Sequence, residues 1–532
     1  MKQLSKAALL GIITLTLSAC GSSGDSNSAG DAALDNTPPT WTKGVFEEAS
    51  QFKNRCENPR IGQDLNGDDY ADQAGSTLHE MHWLRAWSNN TYLWYDEIVD
   101  QDISLFADPI SYFGTLRTTA TTDSGAYRDQ FHYTQDTAEY EQLRSGGASA
   151  SYGAHFKLLE ASPPRLARVA YVEPNSPAER AGLRRGTEIV MIDGESFEDS
   201  SDIDTLNGGL YPEENGETHT FVVQHVGETN TRTINLTSQV VTTAPVQNTR
   251  IIETDDGKVG YLTFNTFGNI TAESALIDAF TTLEEERVSD LVIDLRYNGG
   301  GYLAISAQLA YMVAGNTLTD GKTFERTVFN DKHPAINPVT GKAISNYPFV
   351  NESLGFSVSA GQPLPSVNLN RVFILSSGST CSASESLING LRGIDVDVVL
   401  IGDTTCGKPY GFYSTDNCGT TYSTIQFRGE NDKGFGDYAD GFSPENVSTT
   451  VGERIIGCQV ADDLLTPLGE ENEAMLKAAL DYRVDGSCPP VSVIRVAQRN
   501  SSQKNDLRND PRIIERELKQ RIWLDNLRAG AK

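Results

Sequence analysis

The sequence predicts a multidomain α/β protein with a mainly helical N-terminal region, a β-rich middle domain and an α/β core. Three observations lead there. The chain has 532 residues, 38% hydrophobic and 22% charged, which is enough apolar material for several folded cores. Near residue 145 an aromatic, helix-like pattern gives way to short strands and turns. From about residue 250, buried strands alternate with amphipathic helices, as parallel sheets require.

Residues 1–19 read as a leader. Lys2 and Lys6 precede the apolar run Ala7–Ala19, which ends at Cys20 after Leu17-Ser18-Ala19. That run is shorter than the roughly 20 residues a membrane span needs, so it reads as a signal peptide. The cysteine at its end resembles the lipobox of bacterial lipoproteins. The resemblance implies that Cys20 is lipidated, and Gly21 in place of Asp implies sorting to the outer membrane, facing the periplasm. Residues 20–40 form a Gly/Ser/Asp-rich tether without apolar periodicity. The protein is therefore expected in the cell envelope, held to a membrane by its lipid anchor only. Six further cysteines, Cys56, Cys381, Cys406, Cys418, Cys458 and Cys488, permit up to three disulfides whose pairing the sequence leaves open.

Residues 41–140 carry the helical region. Leu78, Met81, Leu84 and Trp87 recur at helical spacing between Thr77 and Asp100, and Asp108-Pro109 caps a helix expected to run to about Arg117. Two metal-like patterns do not meet their requirements. His79 and His82 lie three apart, where the zinc protease helix needs four. Asp64, Asn66, Asp68 and Asp72 have calcium-loop spacing, yet Asp69 replaces the turn glycine and Gly75 stands where a bidentate Glu belongs, so a solvated acidic loop is the better reading. No metal site is expected.

Residues 145–242 contain strands at Ala150–Glu160, Arg165–Glu173, Thr218–Val226 and Thr231–Val241. Between the second and third lies Ser176–Gly194 (SPAERAGLRRGTEIVMIDG). This string resembles a PDZ domain, with Thr187 where that family usually has Asp. The resemblance implies that a peptide adds as a strand beside the sheet edge, its terminal carboxylate received by the loop Tyr152, Gly153, Ala154, His155 and Phe156.

Residues 250–487 form the α/β core, and residues 488–532 a polar tail. Three loops follow predicted strand ends, at 297–301, 378–385 and 404–411, where ligands of parallel sheets bind. Ser382 sits between a strand and a helix, where the free N–H groups of the first turn can stabilise an oxyanion. A serine nucleophile needs a base. Only His333 of the seven histidines lies in this region, in the polar stretch DKHPAINP, which gives a Ser-His-Asp triad little support. Lys408, between Gly407 and Pro409 after an apolar strand, can serve if burial leaves its amine neutral. The glycines at 299–301 can bring backbone N–H groups close to a carbonyl.

The strings DLRYNGGG (294–301), STCSASE (379–385) and IGDTTCGK (401–408), with the PDZ-like segment upstream, resemble the C-terminal processing (tail-specific) serine peptidase family. The resemblance implies a crotonase-like α/β peptidase core and hydrolysis of protein or peptide substrates through an acyl-enzyme, with no metal or organic cofactor. It assigns Ser382 as nucleophile and Lys408 as general base. It places the oxyanion hole at the N–H of Ala383 and of Gly299 or Gly300. Relatives often carry Gln four residues after the lysine, whereas Phe412 stands here, leaving Gln426, Asp416 and Asn417 as alternative orienting groups. The rival readings are a catalytically weak or inactive peptide-binding lipoprotein on the same scaffold and a hydrolase using His333.

The formal charge of −29, from 43 Lys and Arg against 72 Asp and Glu, argues against nucleic acid as a partner, since phosphate neutralisation needs clustered cations. It also argues against adsorption to anionic lipid.

Overall fold

The structure is a computed structural model that describes residues 38–64, 67–146, 148–447 and 451–490. The leader, Cys20, most of the tether, Asn66 and the tail beyond residue 490 lie outside the described residues.

The core is a six-stranded sheet in the order Val246–Thr254, Gly257–Phe264, Asp290–Asp294, Arg371–Ser376, Asp397–Gly402 and Gly457–Gln459. The first pair is antiparallel and every later pair parallel. Side chains alternate across a strand, and here both faces are covered. Leu291, Ile293, Val372, Ile374, Val398 and Leu400 pack with the helices Ala272–Glu285, Leu303–Thr319 and Ala383–Gly393. Their neighbours Val292, Phe373, Leu375, Val399 and Ile401 pack on the opposite face with Ala474–Asp485. This double burial explains why DLVID and DVVLIG read as unbroken apolar runs.

In the middle domain the strands run Thr231–Thr237, Thr218–Gln224, Glu188–Ile192, Leu166–Val172, Ala154–Glu160, all antiparallel. The strand expected over 150–160 is broken at Tyr152-Gly153. Its first part, Ala148–Ser151, pairs instead with Gln239–Thr242, which leaves Ala154–Glu160 at the sheet edge. Gly153 has φ +73, and a Cβ there would lie 2.3 Å from Ser176 Cβ, so this turn demands glycine.

In the N-terminal region the helix Thr77–Thr91 forms within the expected segment but stops short of Asp100, and buries Trp83, Leu84 and Trp87. The second helix ends at Phe113, earlier than expected, with Asp108 capping Ser111 N–H and Pro109 in its first turn. Nothing in the sequence indicates how this region attaches to the core. Tyr133–Asp136 pairs antiparallel with Thr420–Ser423, Cys56 is bridged to Cys418, and Tyr422 packs edge-on against Trp83 at 5.5 Å. In the acidic loop both oxygens of Asp72 accept from Arg60.

Candidate active site

The three loops that follow strand ends converge. Cys381 N–H donates to Asn298 O (3.1 Å), Thr380 Oγ1 to Leu295 O (2.8 Å), and Cys406 N–H to Thr380 O (3.0 Å). A disulfide between Cys381 and Cys406 joins the second loop to the third.

Ser382 caps the helix Ala383–Gly393 and is 5% exposed. Its backbone has φ 56 and ψ −112, a sparsely populated conformation for a residue with a side chain. Such a turn stands a side chain out at the mouth of a helix, where the first-turn N–H groups carry positive potential. A small cleft opens at this point, lined by Ser382, Ala383, Gly301, Leu303, Tyr410 and Phe427.

One carboxylate organises both sides of the site. Glu385 is fully buried. Its Oε2 accepts the backbone N–H of Ser382 (3.0 Å) and of Lys408 (2.8 Å), while Oε1 accepts Gly407 N–H (2.8 Å) and Thr405 Oγ1–H (2.5 Å). The two backbone nitrogens that share Oε2 therefore lie within about 6 Å of each other. Burial raises the pKa of Glu385, and the four donors offset only part of that rise.

Lys408 is 1% exposed, as its apolar sequence surroundings anticipate. Burial pushes its pKa down from 10.5 to about 7, against the attraction of Asp129 and Glu385. Phe131 and Phe412 flank the amine, with ring centroids 4.6 and 4.8 Å from Nζ. Phe412 thus presents an aromatic face to the amine. Of the other orienting candidates, Asp416 bonds Arg60 and Thr137, Asn417 Oδ1 accepts Asn54 N–H, and Gln426 Oε1 accepts Tyr413 N–H. Asp129 and Phe131 escaped sequence reasoning, since nothing local marks them.

The glycine loop needs one correction. Gly300 abuts Ser382, for a Cβ on it would lie 2.8 Å from Ser382 Cβ. However, its N–H donates to Asn298 Oδ1 (2.9 Å), so it does not stand open as an oxyanion donor in this state. An Asx turn satisfies the amide locally. The imidazole rival also loses ground: His333 Nε2 contacts Asn90 O (3.0 Å) and Oδ1 (3.1 Å). The buried His132 is engaged at both nitrogens, by Thr424 Oγ1 and Phe113 O.

Residues 258–414 match the sequence model of Peptidase family S41, and residues 168–224 that of the PDZ domain. The chain thus carries an S41 peptidase domain with a PDZ domain before it, and resembles C-terminal processing proteases. It is 31% identical over 199 residues to the chloroplastic C-terminal processing peptidase of Tetradesmus obliquus, covering 35% of this chain and 42% of that one. It is 29% identical over 241 residues to the carboxyl-terminal-processing protease of a Picosynechococcus strain, covering 44% and 49%. The chain thus spans about half the length of these curated relatives or less. A solved structure of an S41 protease from Bacteroides fragilis shares the fold, with TM-score 0.57 and 23% identity over 76% of this chain and 97% of that one.

The S41 match takes in the glycine loop, Ser382, Glu385, Lys408 and Phe412, and leaves out Asp129 and Phe131. The PDZ domain is anchored to the core through Asp462, which accepts from Lys157 (3.0 Å), Arg185 (2.5 Å), Arg296 (2.9 Å) and Tyr297 (2.6 Å). In the expected carboxylate loop Tyr152 is buried against Phe221, and Phe156 stacks near the same ring. His155 is turned to Glu173 (2.9 Å) and stacks on Tyr171 at 4.0 Å.

Proposed function

We propose that this protein is a serine endopeptidase that cleaves exported proteins or peptides through an acyl-enzyme, using a Ser382–Lys408 dyad. The observation that carries the proposal is the burial of Lys408 on a loop whose backbone shares Glu385 Oε2 with Ser382. An amine with a pKa near 7 is neutral in a large fraction of molecules at neutral pH, as a base must be.

In this mechanism the neutral amine takes the Ser382 hydroxyl proton as Oγ attacks the peptide carbonyl carbon. Ala383 N–H, at the helix N-terminus, and an N–H of the glycine loop hold the oxyanion. Gly299 serves directly; Gly300 serves once its N–H exchanges Asn298 Oδ1 for substrate. The ammonium of Lys408 returns its proton to the departing amine as the C–N bond breaks. Water then attacks the ester carbon, giving a proton to Lys408, and the ammonium returns that proton to Ser382 Oγ as the C–O bond breaks and the acid product leaves.

The free edge of Ala154–Glu160, beginning at the Tyr152–Phe156 loop, suits addition of a substrate's C-terminal segment as a further strand. Three disulfides support folding in an oxidising compartment. Anchoring through a lipidated Cys20 at the outer membrane belongs to this proposal and rests on the leader sequence.

A fluorophosphonate probe tests the reading. Mass spectrometry is expected to find the adduct on Ser382, and Ser382→Ala to lose both adduct and hydrolysis of an unfolded protein substrate while keeping its melting temperature. Undiminished turnover by Ser382→Ala contradicts the assignment.

A further inference from the structure

We infer that Phe131, supplied by the N-terminal region, is a positioning residue of the active site: with Phe412 it encloses the Lys408 amine and keeps it dry. The inference rests on Lys408 being the base and adds that the base is built from two parts of the chain. Phe131 lies well outside the S41 match at 258–414.

The enclosure has defined walls. Phe131 is 2% exposed and Phe412 fully buried, and both pack in one apolar cluster with Tyr92, Ile425 and Cys381, the residue before Ser382. A ring face attracts a cation but offers no lone pair to an N–H donor. Two such faces within 5 Å of Nζ therefore take the place of water, which solvates the ammonium far better. The two rings confine the amine sterically from two sides.

Phe131 is itself held. Its N–H donates to Asp129 Oδ1 (3.0 Å), and Asp129 Oδ2 accepts from Tyr92 OH (2.7 Å). Leu93 N–H donates to Ile425 O (2.9 Å), and the strand that starts two residues after Phe131 pairs with Thr420–Ser423. The Cys56–Cys418 bridge fastens the same region a second time. A segment that could be taken for an accessory domain is thus tied down on both sides of the base.

The charged groups acting on the amine are Asp129, from the N-terminal region, and Glu385, from the helix after Ser382; both favour the ammonium. Tyr92 and Tyr410, raised by burial, and His132, pushed down to about 4, do not change charge near pH 7. Removing the Phe131 ring leaves the two carboxylates in place and admits water, so the amine's pKa must climb.

The test is the pH dependence of Ser382 labelling by a fluorophosphonate in the full chain, for wild type, Phe131→Ala and Phe131→Leu. In Phe131→Ala the rising limb is expected to move up by about one pH unit or more, lowering the rate at pH 7 about fivefold or more, with the rate at high pH recovered to within a few-fold. Phe131→Leu, apolar and milder on the fold, moves it the same way by less and carries the test alone if the alanine variant does not fold. Profiles that superimpose on wild type, or a loss uniform across pH, overturn the inference while leaving the dyad intact. Absence of Ser382 labelling in wild type at every pH overturns the proposed function, and this inference with it.

Discussion

Cys381, the residue before Ser382, is bonded to Cys406, two residues before Lys408, with their Cα atoms 5.2 Å apart. The proposed nucleophile and base thus ride on two loops joined covalently. The loops are joined a second time by the hydrogen bonds that Ser382 and Lys408 make to Glu385.

Replacing both cysteines by serine tests the covalent tie. Opening a loop of 25 residues' separation removes roughly 3 kcal/mol of chain-entropy stabilisation. Thermal unfolding is expected to show that loss, and kcat is expected to fall with KM little changed. Unaltered kcat means that Glu385 alone keeps the loops in register.

Glu385→Ala is the sharper disruption. It strips the acceptor from the buried N–H groups of Ser382, Gly407 and Lys408, each worth about 1–3 kcal/mol when left unsatisfied. We expect a destabilisation of at least about 3 kcal/mol and a kcat loss of about a hundredfold or more. Glu385→Gln keeps one carbonyl oxygen and is expected to recover part of both. Denaturant unfolding alongside turnover checks the pair.

Lys408→Met should remove activity and stabilise the fold. The lysine's pKa is about 7 in the folded protein and 10.5 when solvated, so between those values the unfolded chain binds the extra proton and stability rises with pH. The penalty, about 1.4 kcal/mol for each pH unit that separates the two values, is present in full below pH 7 and fades towards pH 10. Melting temperatures from pH 6 to 10 should show the variant's advantage shrinking as pH rises.

Asp462→Asn addresses the PDZ clamp. Burial would raise the pKa of Asp462, but Arg296, Lys157 and Arg185 hold it well below the usual carboxylate range. Leaving the largely buried Arg185 and Arg296 short of a partner costs roughly 3 kcal/mol at neutral pH. The difference from wild type shrinks as pH falls below the solvated value of 3.8. Hydrogen exchange in Ala154–Glu160 and Leu166–Val172 should quicken in the variant; unchanged exchange means that other contacts hold the domain.

Much of the site was legible in the sequence because its parts are local. Gly299–Gly301, Ser382 and Lys408 each follow a strand whose unbroken apolar run betrays burial on both faces, and strand ends in one parallel sheet share a rim. What the sequence concealed depends on pairings across hundreds of residues. Cys56 meets Cys418, and Tyr133–Asp136 meets Thr420–Ser423, without any complementary pattern that composition or periodicity records. Phe131 is one aromatic among many until that pairing sets it over Lys408. The Gly300 amide shows a related limit: glycine freedom signals close approach, but not that Asn298 captures the N–H.

Activation of Ser382 by a neutral Lys408 is tested most directly by the rate of Ser382 acylation by a fluorophosphonate against pH, in wild type and in Lys408→Ala. The expected wild-type rate rises with a midpoint near pH 7, and the variant's rate is lower by about a thousandfold or more without that inflection. Comparable acylation in the two proteins, or a wild-type rate indifferent to pH, contradicts the dyad.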